Sequence, residues 1–230
     1  MSDTLSIVAA MAYSYLVGSI PTAYLVGRLV KGIDIRQYGS GTVGSSNAAR
    51  HVGRRYFVPV AAFDILFKGT LTVLLVRWLG LGLGYQAGAA ILATAGHNWS
   101  AFLRFSGGRG LTVTLGSMAV LAWMESALAL AIALLGIAVF RSTALWFGIG
   151  LVLLPLLALA FGESYTILLL CSAMLSIAAL KRLLSNQLTP ASGLRWRDVI
   201  IPRLLYDRDT AGNDDWVDRT PEDSRTEGDS

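Results

Sequence analysis

Long hydrophobic blocks separated by short polar connections dominate the chain. Seven blocks can be drawn, at residues 5–26, 56–76, 85–103, 110–124, 126–140, 143–161 and 164–180. A helix needs about 20 apolar residues to cross the hydrocarbon core of a bilayer, which is about 30 Å thick. The pattern therefore predicts an all-α, polytopic membrane protein with seven transmembrane helices.

The fourth and fifth blocks form one hydrophobic run that only Glu125 interrupts. As a single helix this run would be roughly 46 Å long at about 1.5 Å per residue. That length exceeds the bilayer core of about 30 Å. We therefore expect two short helices joined at residues 124–126.

The basic residues predict the orientation of these helices. Connections after the odd-numbered blocks hold most of them, namely Arg28, Lys31, Arg36, Arg50, Arg54, Arg55, Arg104, Arg109, Arg141, Lys181 and Arg182. The other connections hold only Arg77, Glu125 and Glu163 as charged residues. Because basic connections face the cytoplasm, seven spans place the amino terminus outside and the carboxyl terminus inside. Six or eight spans would put basic connections on both sides.

Composition supports a membrane protein and divides the chain. The sequence is 54% hydrophobic and 15% charged, whereas about a quarter of the residues of soluble domains are charged. Residues 1–204 carry sixteen Lys and Arg against six Asp and Glu, and residues 207–230 carry nine acidic residues against three Arg. We expect a membrane domain at 1–182, a basic interfacial segment at 183–206 and an acidic, disordered tail at 207–230.

Composition also argues against other classes of function. The basic residues lie between hydrophobic blocks instead of on one soluble face, so nucleic-acid binding is not expected. The single cysteine, Cys171, lies inside a hydrophobic block, so no disulfide framework or cysteine-rich metal site is expected. We predict no metal and no organic cofactor.

The first connection is rich in glycine and hydroxyl groups. Residues 31–50 include Gly39, Ser40, Gly41, Thr42, Gly44, Ser45, Ser46 and Asn47, with Arg36 and Arg50 on either side. Successive backbone N–H groups of such a loop can form an anion-binding concavity, and an arginine can grip a phosphate through two hydrogen bonds. The composition fits a phosphate site and fits a flexible connection equally well.

A second loop of similar kind follows the third block. It contains Gly107, Gly108 and Arg109 directly before the next predicted helix, whose amino end favours anions. Alone, this sequence is also typical of an ordinary turn. Both loops fall on the same predicted side of the membrane, however, so they can converge on one phosphorylated ligand.

Three further polar residues lie within or at the end of hydrophobic blocks. Asp64 and Lys68 are four positions apart and share a helix face. They form either a self-neutralising ion pair or a pair in which Lys68 lines a site. His97 is either a general base or a neutral histidine that joins two helices.

Taken in order, these segments resemble the bacterial membrane glycerol-3-phosphate acyltransferases that use acyl phosphate as donor. The resemblance is carried by three motifs, which are Gly18-Ser19-Ile20-Pro21-Thr22 with Gly27, the loop from Gly32 to Gly53 followed by Lys68-Gly69, and Gly96-His97 with Gly107-Gly108-Arg109-Gly110 and Gly116. It is strong over residues 10–116. The later blocks match by hydrophobicity and length.

The resemblance implies a function. It implies transfer of a fatty acyl group from acyl phosphate to the 1-hydroxyl of glycerol 3-phosphate, giving lysophosphatidic acid and phosphate for phospholipid biosynthesis. The expected partners are these two substrates and membrane lipids. The expected location is the bacterial inner membrane, with the active site facing the cytoplasm. A paralogue that binds or acylates another phosphorylated acceptor is the alternative. A transporter ranks lower because the polar clusters stay on one face.

The resemblance also implies roles for individual residues. The expected catalytic residues are Ser40, Asn47, Arg50, Lys68, His97 and Arg109. The expected phosphate- and substrate-binding residues are Arg36, Gly39, Gly41, Gly44, Ser46, Gly107, Gly108, Ser142 and Arg182. Arg109 stands where the family usually has Lys. The family's His and Asn at the end of the last span are replaced by Arg182 and by Ser185 or Asn186.

Overall fold

The computed structural model describes residues 2–184, 195–208 and 220–221, and this part of the chain is helical. Its helices are α1 Ser2–Ser19, α2 Thr22–Lys31, α3 Ser45–His51, α4 Phe57–Phe63, α5 Leu71–Trp78, α6 Leu83–Asn98, α7 Leu111–Leu121, α8 Trp123–Phe140, α9 Thr143–Ala160, α10 Tyr165–Leu184 and α11 Trp196–Tyr206. Helix α1 packs on α6, α7 on the segment between α4 and α5, and α9 on both α8 and α10.

Five helical segments of the described chain are long and apolar enough to cross a membrane. They are Thr4–Lys31, Arg54–Trp78, Trp123–Phe140, Thr143–Ala160 and Tyr165–Leu184. Large aliphatic side chains such as Val58, Leu135 and Leu159 are exposed on them, as expected where lipid replaces water. The third and fourth predicted crossings correspond to α6 and α7, which have only 16 and 11 residues. The count of seven and the orientation remain predictions.

The first predicted crossing is interrupted. Helix α1 ends at Ser19 and α2 begins at Thr22, because Pro21 has no N–H group and disfavours helical backbone at Ile20. Helix α2 then ends at Lys31 and is followed by Gly32, whose φ of 70° is a left-handed conformation that glycine adopts without steric cost. The first predicted crossing therefore consists of two helices within one candidate span, Thr4–Lys31.

The second crossing contains a wider, π-helical stretch at Asp64–Thr70, between α4 and α5. Helix α7 lies directly against it: a Cβ at Gly69 would stand 2.6 Å from the carbonyl oxygen of Val113. Thr70 Oγ1 also donates a hydrogen bond to the carbonyl of Gly116 at 3.0 Å. Such π-helical turns often occur at functional sites, and this one carries both Asp64 and Lys68.

The fourth and fifth blocks form two helices, as predicted, but the joint lies elsewhere. The backbone leaves the helical conformation at Ala122, with φ −150° and ψ 65°, and not at residues 124–126. Glu125 instead lies in the first turn of α8, where the positive end of the helix dipole favours a carboxylate. The charge of Glu125 predicts the break three residues too late, because the helix is interrupted at Ala122.

The segment after the last crossing forms a helix that packs on the membrane helices. Helix α11 packs on α9 and α10, and its Val199 and Arg203 are buried. Residues 185–194, including Ser185 and Asn186, lie outside the described residues, as does most of the predicted tail. The interfacial segment and the disordered tail remain predictions.

Candidate active site

The glycine-rich first loop is tied down by one buried side chain. Asn47 Nδ2 donates hydrogen bonds to the carbonyls of Ile35, Tyr38 and Thr42 at 3.0–3.1 Å. A single amide therefore fixes three points of the loop backbone. These contacts favour an ordered loop over a flexible connection, and they give Asn47 a positioning role in the loop.

Arg36 has a partner within the same loop. Its guanidinium donates to Asp34 at 2.9 and 2.6 Å and lies over the ring of Tyr24. The hydrogen bond from Arg36 lowers the pKa of Asp34, and Asp34 in turn raises the pKa of Arg36. Arg36 lies apart from the lining of the main cavity. The structure thus places it as a support of the loop and not on the wall of the main cavity.

The two glycine-rich loops meet, as predicted. The backbone N–H of Val43 donates to the carbonyl of Gly107 at 3.2 Å, and that of Gly108 donates to the carbonyl of His97 at 3.0 Å. A Cβ at Gly108 would lie 2.1 Å from His97 Nε2. Glycine is therefore required at position 108, because a side chain there would clash with the imidazole of His97. The N–H of Gly108 is already used, so it is not free to bind phosphate.

Asp64, Lys68 and His97 form a buried group below this turn. Lys68 Nζ lies 2.6 Å from Asp64 Oδ1, and both side chains are 1% exposed. Lys68 Nζ also lies 3.4 Å from His97 Nδ1. The predicted ion pair is therefore present. Lys68 lies behind the main cavity, whereas His97 lines it.

Two contacts hold the ring of His97. Lys68 Nζ lies 3.4 Å from Nδ1, and Nε2 faces the Gly107–Gly108 turn, where a Cβ at Gly108 would stand 2.1 Å from it. Both ring nitrogens therefore lie against other parts of the protein. Of the two alternatives for His97, this packing favours the histidine that joins two helices.

One cavity of about 790 Å³ collects many of the predicted residues. The predicted residues along its wall are Ser40, Gly44, Ser46, Arg50, His97, Arg109, Ser142 and Arg182. Asn47 lines a neighbouring cavity of about 530 Å³, which also includes Ser40, Ser46 and Arg50. The remaining predicted residues lie outside both walls, and they are Arg36, Gly39, Gly41, Lys68, Gly107 and Gly108.

The wall of the main cavity is divided by chemistry. Its five arginines come from the ends of helices and from loops, and they are Arg50, Arg109, Arg141, Arg182 and Arg208. Most of its apolar side chains come from α7, α8 and α9, among them Leu115, Met118, Leu130, Phe147 and Leu154, and Phe57, Ala61 and Ile65 of the second crossing complete the wall. A cavity of this kind suits an anionic group joined to a long apolar chain.

Two of the arginines are anchored by the carboxyl-terminal part of the chain. Arg109 Nε contacts the Asp207 carboxylate at 2.9 Å, and its Nη1 donates to the carbonyl of Lys181 at 2.9 Å. Arg182 donates to the carbonyls of Leu204 and Ala144 at 2.6 and 2.7 Å. Arg182 thus joins α9, α10 and α11, and has a structural role beside any contact with a ligand.

Sequence reasoning missed several residues of this region. Arg141, Tyr206, Asp207 and Arg208 line the cavity, although the sequence predicts only an orientation signal at Arg141 and an acidic tail from residue 207. Lys181, which the sequence also indicates only as an orientation signal, is 1% exposed, and its ammonium lies over the ring of Trp99. The Val199–Arg203 spacing of four residues was a weak sign of a helix with one buried face.

Within the described residues, no three His, Cys, Asp or Glu side chains gather as metal ligands would.

Comparison with known proteins gives a consistent result. A family model described as glycerol-3-phosphate acyltransferase matches residues 8–187. Glycerol-3-phosphate acyltransferase 4 of Dehalococcoides mccartyi (strain CBDB1) is 36% identical over 211 residues, which cover 89% of this chain and 90% of the relative. Glycerol-3-phosphate acyltransferase 2 of Moorella thermoacetica is 49% identical over 113 residues, covering 49% and 57%.

Solved structures show the same fold. The crystal structure of PlsY (YgiH), an integral membrane glycerol 3-phosphate acyltransferase, in its glycerol 3-phosphate form superposes with a TM-score of 0.72. The two chains are 23% identical, and the match covers 77% of this chain and 88% of the other. The predicted all-helical membrane fold is therefore confirmed at the level of its helices.

Proposed function

The chain belongs to the glycerol-3-phosphate acyltransferase family, and we propose that it transfers a fatty acyl group from acyl phosphate to the 1-hydroxyl of glycerol 3-phosphate. That it is an acyltransferase and an integral membrane protein follows from the family. The donor, the position acylated and the products, lysophosphatidic acid and inorganic phosphate, are parts of the proposal. The observation that carries it is the arginine-lined cavity that continues between α7, α8 and α9.

The reaction requires little of the protein. The 1-hydroxyl oxygen attacks the acyl carbonyl carbon, an ester bond forms, and the bond from that carbon to the phosphate oxygen breaks. Phosphate leaves with the bonding electrons and takes the hydroxyl proton. An acyl phosphate is already activated, so alignment of two anionic substrates and stabilisation of developing negative charge are the main tasks. No protein nucleophile is needed.

The residues divide into those that face the substrates and those that hold them in place. Arg50 and Arg109 line the cavity and are proposed to bind the phosphate groups through paired hydrogen bonds. His97 lines the same cavity and is proposed to hold the Gly107–Gly108 turn beside the substrates. Lys68 acts behind it through its contact with Nδ1, and Asn47 acts by fixing the loop that carries Ser40.

The proposed topology follows from the basic connections. With seven crossings the arginine-lined end of the cavity faces the cytoplasm, and the amino terminus lies outside. The membrane would be the bacterial inner membrane. The apolar lining from α7, α8 and α9 would then hold the acyl chain at the depth of the lipid tails.

The test is phosphate release by the purified full-length protein from palmitoyl phosphate and glycerol 3-phosphate, with Arg50→Ala and the exposed Arg195→Ala as a matched control. We expect turnover that Arg50→Ala reduces at least a hundredfold and Arg195→Ala leaves unchanged. No turnover with wild-type protein, or equal turnover with Arg50→Ala, would refute the proposal. A panel of other phosphorylated acceptors detects a paralogue with changed specificity.

A further inference from the structure

Helix α11 is fastened to the end of α10 by two reciprocal contacts. Arg203 Nη1 donates to the carbonyl of Leu183 at 2.7 Å, and Arg182 Nη1 donates to the carbonyl of Leu204 at 2.6 Å. Both arginines are buried. A hydrogen bond from a charged donor to a backbone carbonyl is stronger than a neutral one, so the two contacts define the position of α11.

The end of α11 is equally well defined. Asp207 follows the last helical residue, with φ 56° and ψ 36°, and its N–H donates to the carbonyl of Arg203 at 3.1 Å. Aspartate tolerates this left-handed conformation better than most residues. The helix end therefore directs the Asp207 carboxylate into the cavity, where it meets Arg109.

Arg109 is thereby held from two sides. The Asp207 carboxylate contacts Nε at 2.9 Å, and the Lys181 carbonyl accepts from Nη1 at 2.9 Å. Two partners on different nitrogens fix the plane of a guanidinium, and they remove rotamer freedom that binding would otherwise have to remove. A guanidinium has five N–H donors, so donors remain for a ligand.

We propose that Asp207 is a positioning residue and that α11 is a working part of the active site. Asp207 holds the Arg109 guanidinium in the orientation that receives a phosphate group of the substrates. This inference rests on the proposed function of Arg109. The family match ends at residue 187, so α11 lies beyond the segment that defines the family, and no role for it follows from membership.

Asp207 is also the one acidic residue among the described residues of this wall, beside five arginines. A carboxylate could instead compete with phosphate for Arg109. The two roles have opposite signs. Removing a competitor tightens the binding of phosphorylated substrates, whereas removing a positioning residue weakens binding and slows turnover.

The experiment uses full-length protein in detergent and measures kcat and KM for both substrates by phosphate release. Asp207→Asn and Asp207→Ala are compared with Asp198→Asn, an exposed aspartate on the same helix that pairs with Arg195. Displacement of a positioning group by about 1 Å can cost about a hundredfold. We expect kcat/KM to fall about tenfold to a hundredfold in both Asp207 variants, to recover partly in Asp207→Glu, and to stay unchanged in Asp198→Asn.

A double-mutant cycle separates positioning from a purely structural role. If Asp207 acts through Arg109, Asp207→Asn causes no further loss in an Arg109→Ala background. A lower KM in Asp207→Ala, unchanged kcat/KM, or full additivity with Arg109→Ala would each overturn the inference. Asp207→Asn preserves the shape of the side chain, so a thermal melt like that of the wild type keeps the result interpretable if Asp207→Ala unfolds.

The same measurements distinguish this inference from the proposed function. If Arg109→Ala retains full activity, the proposed role of Arg109 in the site fails. If Arg109→Ala is impaired while Asp207→Asn is not, the proposed function stands and only the role of Asp207 fails.

Discussion

Replacing Gly108 with alanine should displace His97 and so reduce activity without unfolding the protein. The added Cβ would stand 2.1 Å from His97 Nε2, 2.9 Å from Cδ2 and 3.0 Å from Cε1. Ordinary contacts between such atoms are about 3.5 Å. The ring or the Gly107–Gly108 turn must therefore move by about 1.4 Å, the difference between an ordinary contact distance and the 2.1 Å at Nε2.

A shift of this size has two measurable consequences. A misplacement of about 1 Å in a positioned group can cost about a hundredfold in rate, so we expect kcat/KM for phosphate release to fall about a hundredfold. Overpacking costs about 1–3 kcal/mol of stability. The matched control is Gly84→Ala in α6, where an added Cβ meets nothing within 4 Å; it should leave both quantities near wild type.

The cause can be tested through the histidine itself. Because the clash is with the imidazole, Gly108→Ala should cost less stability in a His97→Ala background than alone, and a thermal-unfolding cycle measures this coupling. Wild-type kcat/KM in Gly108→Ala would refute the reasoning. Full additivity of the two substitutions in stability would show that the turn, and not the ring, determines the cost.

Three other expectations follow from the contacts around the loops. Asn47→Ala leaves three carbonyls without their donor and should cost about 2–3 kcal/mol in thermal unfolding, at about 1 kcal/mol each; Asn47→Asp should not restore it, because a carboxylate cannot donate. The pKa of Asp34 is lowered by Arg36, so the pair should stabilise the fold fully above the unfolded pKa of about 3.9. This stabilisation should be lost as the pH falls through the lower pKa of the folded state. The difference in melting temperature between wild type and Asp34→Asn should therefore shrink below about pH 4. Lys68→Met leaves the Asp64 carboxylate buried without its ion-pair partner and should cost about 3–5 kcal/mol, much of which Asp64→Asn in the same chain should recover.

The sequence predicted the class of the protein better than the boundaries of its helices. Apolar runs identify membrane helices because lipid imposes both a length and a composition. The interruptions depend on backbone geometry. Pro21 is visible in the sequence as a break, yet the break at Ala122 is not, because nothing about an alanine predicts a φ of −150°. The π-helical turn at Asp64–Thr70 depends on how α7 packs beside it.

The sequence predicted those parts of the candidate site in which residues with the same chemistry are close together along the chain. Glycines, hydroxyls and arginines in two loops on one predicted side indicated a phosphate site, and the Val43–Gly107 hydrogen bond confirms that the loops meet. Whether a polar group faces the cavity or the protein could not be predicted. Arg36 is bound by a neighbour two residues away, and the N–H of Gly108 is used by His97.

The identity of Arg109 illustrates why a departure from a family pattern can be informative. The resemblance leads one to expect lysine at this position, and an ammonium has three donors on a single atom. Arginine spreads five donors over three nitrogens in a plane, so one residue can hold Asp207 through Nε, the Lys181 carbonyl through Nη1, and still present donors to a phosphate. A lysine could contact the same three partners only if all of them lay around its single nitrogen. In the proposed site, we therefore expect the arginine and the docked helix α11 to act together, because the helix supplies a partner for Nε and leaves other donors of the guanidinium for a phosphate.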